Sequence, residues 1–78
     1  MARMDLREVF AINLRRLRNE RGLSQDDLAY EAEVNRGYLS QLETARYYVS
    51  LKILERLAKV LNVEPAELLK LPTGTSDK

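Results

Sequence analysis

Apolar residues recur along most of this chain at intervals of three and four, the spacing of one helix face. Over residues 5–21, Leu6, Val9, Phe10, Leu14 and Leu17 keep this rhythm, with Asn13 beside Leu14. Gly22 then gives a stop signal. Ser24 stands at an N-cap position, followed by Asp26 and Asp27 in the first turn, where carboxylates meet the positive end of the helix dipole. This second helix is expected to bury Leu28, Ala29 and Ala32, its two alanines small enough to let another helix approach closely. The pattern breaks at "EVN", and Asn35 caps a third helix running to about residue 44. After the loop "ARYYV", Ser50 caps a fourth helix over Leu51–Leu61, which Asn62 ends. Pro65 suits the first position of a short fifth helix reaching about residue 69, and Pro72 closes it. No strand pattern, repeat, linker or low-complexity run interrupts the series. The pattern predicts an all-α, five-helix domain over residues 5–71, with flexible termini at 1–4 and 72–78.

The third helix has an unusual outer face. On a wheel of about 100° per residue, Tyr38, Leu39 and Leu42 fall together. Arg36, Gly37, Ser40, Gln41 and Thr44 fall opposite. A solvated face normally carries Glu–Lys pairs four apart, and this one has none while holding two poor helix formers, Gly37 and Thr44. Gly37 would let the backbone approach another surface closely. Gln matches adenine through its amide, Arg forks onto guanine, and Ser bonds several bases. This composition favours nucleic-acid contact over a plain solvent face. Two short helices joined by a tight turn form a helix-turn-helix, whose second helix enters the major groove. Gln25, opening the first of the two, would then meet the phosphate backbone beside free amide N–H groups.

Composition narrows the alternatives. The chain has 78 residues, enough for one small domain. A domain of this size buries only about 60% of its unfolded surface and is marginal alone, so dimerisation is a natural remedy. Net charge is +1, so an anionic partner must be met by local segregation of charge. The absence of Cys and His removes thiolate metal sites, cysteine nucleophiles and the commonest general base. With no Gly-rich phosphate loop either, an enzyme is not expected, nor a cofactor or metal. No apolar run approaches the roughly 20 residues of a membrane span, which makes a soluble cytoplasmic protein the default.

The stretch "GLSQDDLAYEAEVNRGYLSQLETAR", followed by "SLKILERLAKVLNVEPAELL", resembles the lambda-repressor/Cro-like helix-turn-helix family, also called the XRE family. The resemblance covers about residues 6–70. It implies a five-helix DNA-binding domain acting as a homodimeric transcription regulator on double-stranded DNA. By position it implies base readers at Arg36 and Gln41, the cap at Asn35, and backbone contacts from Gln25, Tyr38 and Arg46. With the composition of the helix face added, base contacts are expected from Arg36, Gly37, Ser40 and Gln41, and phosphate contacts from Gln25, Asn35, Tyr38, Thr44 and Arg46. The resemblance also implies an ion pair between Arg18 and Glu43. The chain departs from the family at three positions: Glu33 and Ala45 stand where Gly is usual, and Val49 where Pro is usual. A left-handed backbone is expected at Glu33. Small restriction–modification controller proteins look similar in length and in lacking that Pro.

Other features remain open. Tyr47 and Tyr48 fit phosphate contact and packing equally well. Arg7, Arg15, Arg16 and Arg21 read as a solvated face, with Arg15 within conceivable reach of a phosphate. The acidic second helix, with Asp26, Asp27 and Glu31, fits dipole placement better than a patch for RNA polymerase. On the fourth helix Leu51, Leu54, Ala58 and Leu61 form one stripe, which Ile53, Leu57 and Val60 widen beyond the roughly 100° a core needs. A homodimer interface through Ile53, Leu57, Val60, Leu69 and Leu71 is expected to absorb the excess. A competing reading is an antitoxin-like subunit whose main partner is a toxin protein.

Overall fold

The computed structural model describes residues 4–71. The flexible ends expected at 1–4 and 72–78 lie outside it, Met4 excepted. Four α-helices follow one another: α1 (Leu6–Glu20), α2 (Gln25–Ala32), α3 (Arg36–Glu43) and α4 (Leu51–Leu61). The fifth helical segment, Pro65–Leu69, is a 3-10 helix and not the α-helix expected. Five residues opened by a proline leave little room for bonds four apart. The turn closes three apart instead, Glu67 N–H donating to the Glu64 carbonyl at 2.9 Å. Among the described residues there is no strand.

Each helix start is written in the chain. Asp5 and Ser24 form reciprocal capping boxes with Glu8 and Asp27, and Asn35 and Ser50 each accept one backbone N–H. The stops are left-handed residues. Gly22 lies at φ 70°, and Glu33, Ala45 and Asn62 lie at φ 60°, 62° and 59°. Behind Glu33 and Asn62 the next N–H reaches back to the helix, Val34 to the Ala29 carbonyl at 2.9 Å and Val63 to that of Ala58 at 3.0 Å. Glu33 and Ala45 therefore keep the turn that glycine would give, at a strain of about 1–2 kcal/mol each.

The core is single. Phe10, Leu14 and Leu17 of α1, Leu28, Ala29 and Ala32 of α2, and Leu39 and Leu42 of α3 meet Leu54, Leu57, Ala58 and Leu61 of α4 and Leu68. Helix α2 packs on α3 and α4, α1 on α3, and the 3-10 helix closes over α1 and α4. The wide apolar arc of α4 follows from this: it faces two neighbours at once. Leu57, expected at a dimer interface, is fully buried in this core and has no surface to offer a partner. Ile53 and Val60 are partly buried and packed against the core. Leu51 breaks from the expected stripe and is 79% exposed at the first position of α4.

Asn13 is a buried polar side chain at the heart of α1. Its amide donates to the Leu68 and Lys70 carbonyls at 3.0 and 2.8 Å, and its oxygen accepts from Arg16 at 3.3 Å. One side chain thus ties the end of the described chain back to α1.

Candidate nucleic-acid interface

Residues 33–35 form the turn between α2 and α3. The left-handed Glu33 reverses the chain, half-buried Val34 packs on the core, and Asn35 caps α3 through Tyr38 N–H at 3.1 Å. The turn is secured from outside by Arg56, whose guanidinium donates to the Glu33 carbonyl at 3.2 Å. This sets the first residues of α2 and α3 side by side.

Beneath them lies the Arg18–Glu43 pair. Arg18 Nε and Nη2 donate to the two Glu43 oxygens at 2.6 and 3.0 Å, and Arg18 Nη1 donates to the Leu23 carbonyl at 2.9 Å. The Glu43 side chain is 2% exposed and that of Arg18 14%. The pair ties α1 to the end of α3. Glu43 also accepts from Gln25 Nε2 at 2.9 Å, and Gln25 Oε1 accepts from Arg36 Nε at 3.2 Å. A continuous chain of polar contacts therefore runs Arg18–Glu43–Gln25–Arg36, from the buried pair to the first residue of α3.

The outer face of α3 presents Arg36 and Gly37 exposed, with Ser40 and Gln41 half-buried one turn on. A Cβ at Gly37 would stand 3.0 Å from Asn35 Oδ1, so the glycine also keeps the cap clear. Thr44 is exposed, and its hydroxyl donates back to the Ser40 or Gln41 carbonyl, at 3.1 and 3.2 Å. It must release that bond before it can donate to a phosphate. Arg46 is exposed beyond the end of the helix. Tyr38 and Tyr47 stack with ring centres 6.3 Å apart, steadying the loop after α3. Tyr48 takes the Arg7 guanidinium over its ring at 5.0 Å and donates to Asp5 at 3.4 Å. Arg7 in turn bonds Asp5 at 2.8 Å and, with further help from its backbone N–H and from Tyr48, lowers the Asp5 pKa from 3.8 to about 2.

The acidic face of α2 is partly accounted for locally. Asp27 completes the Ser24 capping box, and Asp26 Oδ1 lies 3.5 Å from Arg36 Nε. Arg15 is exposed on α1, beside a shallow pocket that reaches Thr44. Among the described residues no cluster of acidic side chains could hold a metal ion, and no helix is long and apolar enough to cross a membrane.

The family model described as helix-turn-helix domain matches residues 9–71. The chain belongs to the XRE-type helix-turn-helix family of DNA-binding regulators. It is 38% identical to a hypothetical transcription factor of Neisseria meningitidis, over 94% of this chain and 76% of that one. A crystal structure of the hypothetical transcription factor NHTF from Neisseria superposes with a TM-score of 0.85, covering 90% of this chain and 80% of that one at 37% identity. Control protein C.BamHI of Bacillus amyloliquefaciens is 34% identical over 88% of this chain and 86% of its own. The restriction–modification controller protein C.AhdI of Aeromonas hydrophila superposes with a TM-score of 0.77 at 39% identity, covering 80% of this chain and 94% of that one.

The helix-turn-helix residues singled out from sequence do come together: Gln25, Arg36, Gly37, Ser40 and Gln41 share one side of the molecule's α2–α3 unit. The polar chain linking them to Arg18 escaped the sequence reading, as did the role of Asn13. An Asn within the apolar stripe of α1 was the available signal for the latter.

Proposed function

We propose that this helix-turn-helix regulator binds double-stranded DNA sequence-specifically, as a homodimer on a roughly palindromic operator, and so controls transcription. The observation that carries the reading is the α3 face itself: forked, amide and hydroxyl side chains around an exposed glycine, held beside the N-terminus of α2. In this reading α3 lies in the major groove, and Arg36, Ser40 and Gln41 meet base edges where Gly37 lets the backbone come close. Gln25, Asn35, Tyr38, Thr44 and Arg46 flank that face and hold phosphates. The likeness to C.BamHI and C.AhdI supports a controller of the same small size.

A single α3 offers few base contacts, and a net charge of +1 gives little nonspecific attraction. Two copies remedy this. Of the residues expected at the interface, Leu69 and Leu71 are exposed and Ile53 and Val60 partly so, while Leu57 is buried. Exposed Leu6, Tyr48, Leu51 and Leu69 rim one apolar cleft of about 180 Å³, and Leu71 is also exposed. Residues of this kind surplus to a core are what a second subunit would cover.

Selection of bound duplexes from a random pool tests the reading. Enrichment of two related half-sites about 10–10.5 base pairs apart is expected. Arg36→Ala should then cost about 1–3 kcal/mol of binding and relax one operator position. Failure to enrich any sequence, or a monomer by sedimentation both free and on the operator, would refute it.

A further inference from the structure

Arg36 is held from the stem side. Its Nε donates to Gln25 Oε1 at 3.2 Å and lies 3.5 Å from Asp26 Oδ1, while Gln25 is itself fixed by Glu43 at 2.9 Å. Both contacts are made at Nε, which leaves the Nη1 and Nη2 donors for another acceptor. Two parallel N–H donors presented end-on are what O6 and N7 of guanine require. A phosphate can accept the same fork, so the choice between base and phosphate falls to the charge beside Arg36.

Asp26 adds a charge argument. Its carboxylate is exposed, at the edge of the face proposed to meet DNA. Carboxylate and phosphate are both acceptors and both negative, so neither can satisfy the other. An Arg36 that swung away to a phosphate would leave Asp26 unpaired near like charge. One that stayed with Asp26 and forked onto guanine would keep both contacts.

We propose that Asp26 is a specificity-determining residue: with Gln25 it holds Arg36 by Nε, favouring the guanine-reading orientation over phosphate contact. Asp26 acts through Arg36 and is a positioning residue. This inference rests on the DNA reading above.

The test uses the full chain and two duplexes: the selected operator, and the same duplex changed at the one position that Arg36→Ala relaxes. Asp26→Asn should strengthen binding to the changed duplex more than to the operator. An exposed ion pair is weak, so the ratio of the two affinities should fall only about two- to fivefold. In an Arg36→Ala background the same substitution should leave the ratio unmoved. Asp27→Asn removes an equal charge from the same helical turn without touching Arg36, and should leave the ratio at its wild-type value. A purely structural role in α2 would move both duplexes alike. An unchanged ratio in Asp26→Asn, or an equal fall in Asp27→Asn, overturns the inference alone. A wild-type protein that does not discriminate the duplexes overturns the DNA reading and this inference with it.

Discussion

Removing Arg18 should harm this domain more than removing the charge of Glu43, although the two form one pair. Their exposures differ, and the difference decides the order. Without Arg18, as in Arg18→Met, a carboxylate 2% exposed keeps only the Gln25 amide at 2.9 Å. Breaking a buried pair in this way costs about 3–5 kcal/mol. In Glu43→Gln, by contrast, Arg18 retains the Leu23 carbonyl at 2.9 Å and a 14% opening to water. That variant should lose about 1.5–3 kcal/mol, the range for a charged hydrogen bond. A domain of 78 residues has about 4–12 kcal/mol in total, so Arg18→Met lies near the limit of folding at room temperature.

The double variant Arg18→Met/Glu43→Leu is the sharper arm. It removes both charges and fills the space, a replacement often neutral or stabilising in other proteins. Here the Leu23 carbonyl and the Gln25 amide each lose a partner, at about 0.5–1.5 kcal/mol apiece. The double variant should therefore lie within about 1–3 kcal/mol of wild type and above Arg18→Met. Urea unfolding followed by circular dichroism measures all four proteins on one scale. A double variant no more stable than Arg18→Met would mean that the stranded carboxylate is not what Arg18→Met costs, and the reasoning would fail.

Two further perturbations probe the frame around the site. Asn13→Leu should cost about 2–4 kcal/mol in the same urea assay, because it takes their side-chain partner from two carbonyls at the end of the 3-10 helix. A loss below about 0.5 kcal/mol would show that the Leu68 and Lys70 carbonyls find other partners. Asp5 supplies a pH signature. The folded state keeps its carboxyl ionised down to about pH 2, lower than the unfolded chain, whose value is near 3.8. Its contribution is thus complete above about pH 4 and lost as pH falls through about 2. The gap in stability between wild type and Asp5→Asn should narrow over that window, and a gap that holds constant would remove Asp5 from the linkage.

Local signals were legible because they act over a few residues. Ser24, Asn35 and Ser50 cap the helices that begin beside them, and their side-chain oxygens find N–H groups two or three residues on whatever the rest of the chain does. The composition of the α3 face was legible for the same reason, since a wheel needs only one helix. What failed was arithmetic about neighbours. The breadth of the α4 apolar arc reported two partners, and sequence alone could not distinguish the 3-10 helix and α2 from a second subunit. Leu57 was misplaced on that account. Leu51 shows the converse error: its spacing matched the stripe, but at the first position of α4 it is exposed, and spacing says nothing of where the neighbouring elements end. Asn13 finds its partner 55 residues away, a distance over which no periodicity carries information.

The left-handed positions join these two cases. Gly22 removes a steric penalty and was read as a stop, whereas Glu33 and Ala45 accept it in the same geometry. At each, the surroundings impose the turn. Val34 and Arg46 N–H groups reach back to the Ala29 and Gln41 carbonyls at 2.9 and 3.0 Å, and Arg56 grips the Glu33 carbonyl from α4. Local preference is overruled where tertiary contacts are dense. Both residues flank α3, one at each end, so the strain is stored where the orientation of that helix is set. Arg18, Glu43 and Gln25 pin the same helix from beneath. A helix held at both ends and along its inner side is hindered from rolling, and in the DNA reading proposed above that rigidity would sharpen the choice of base by Arg36.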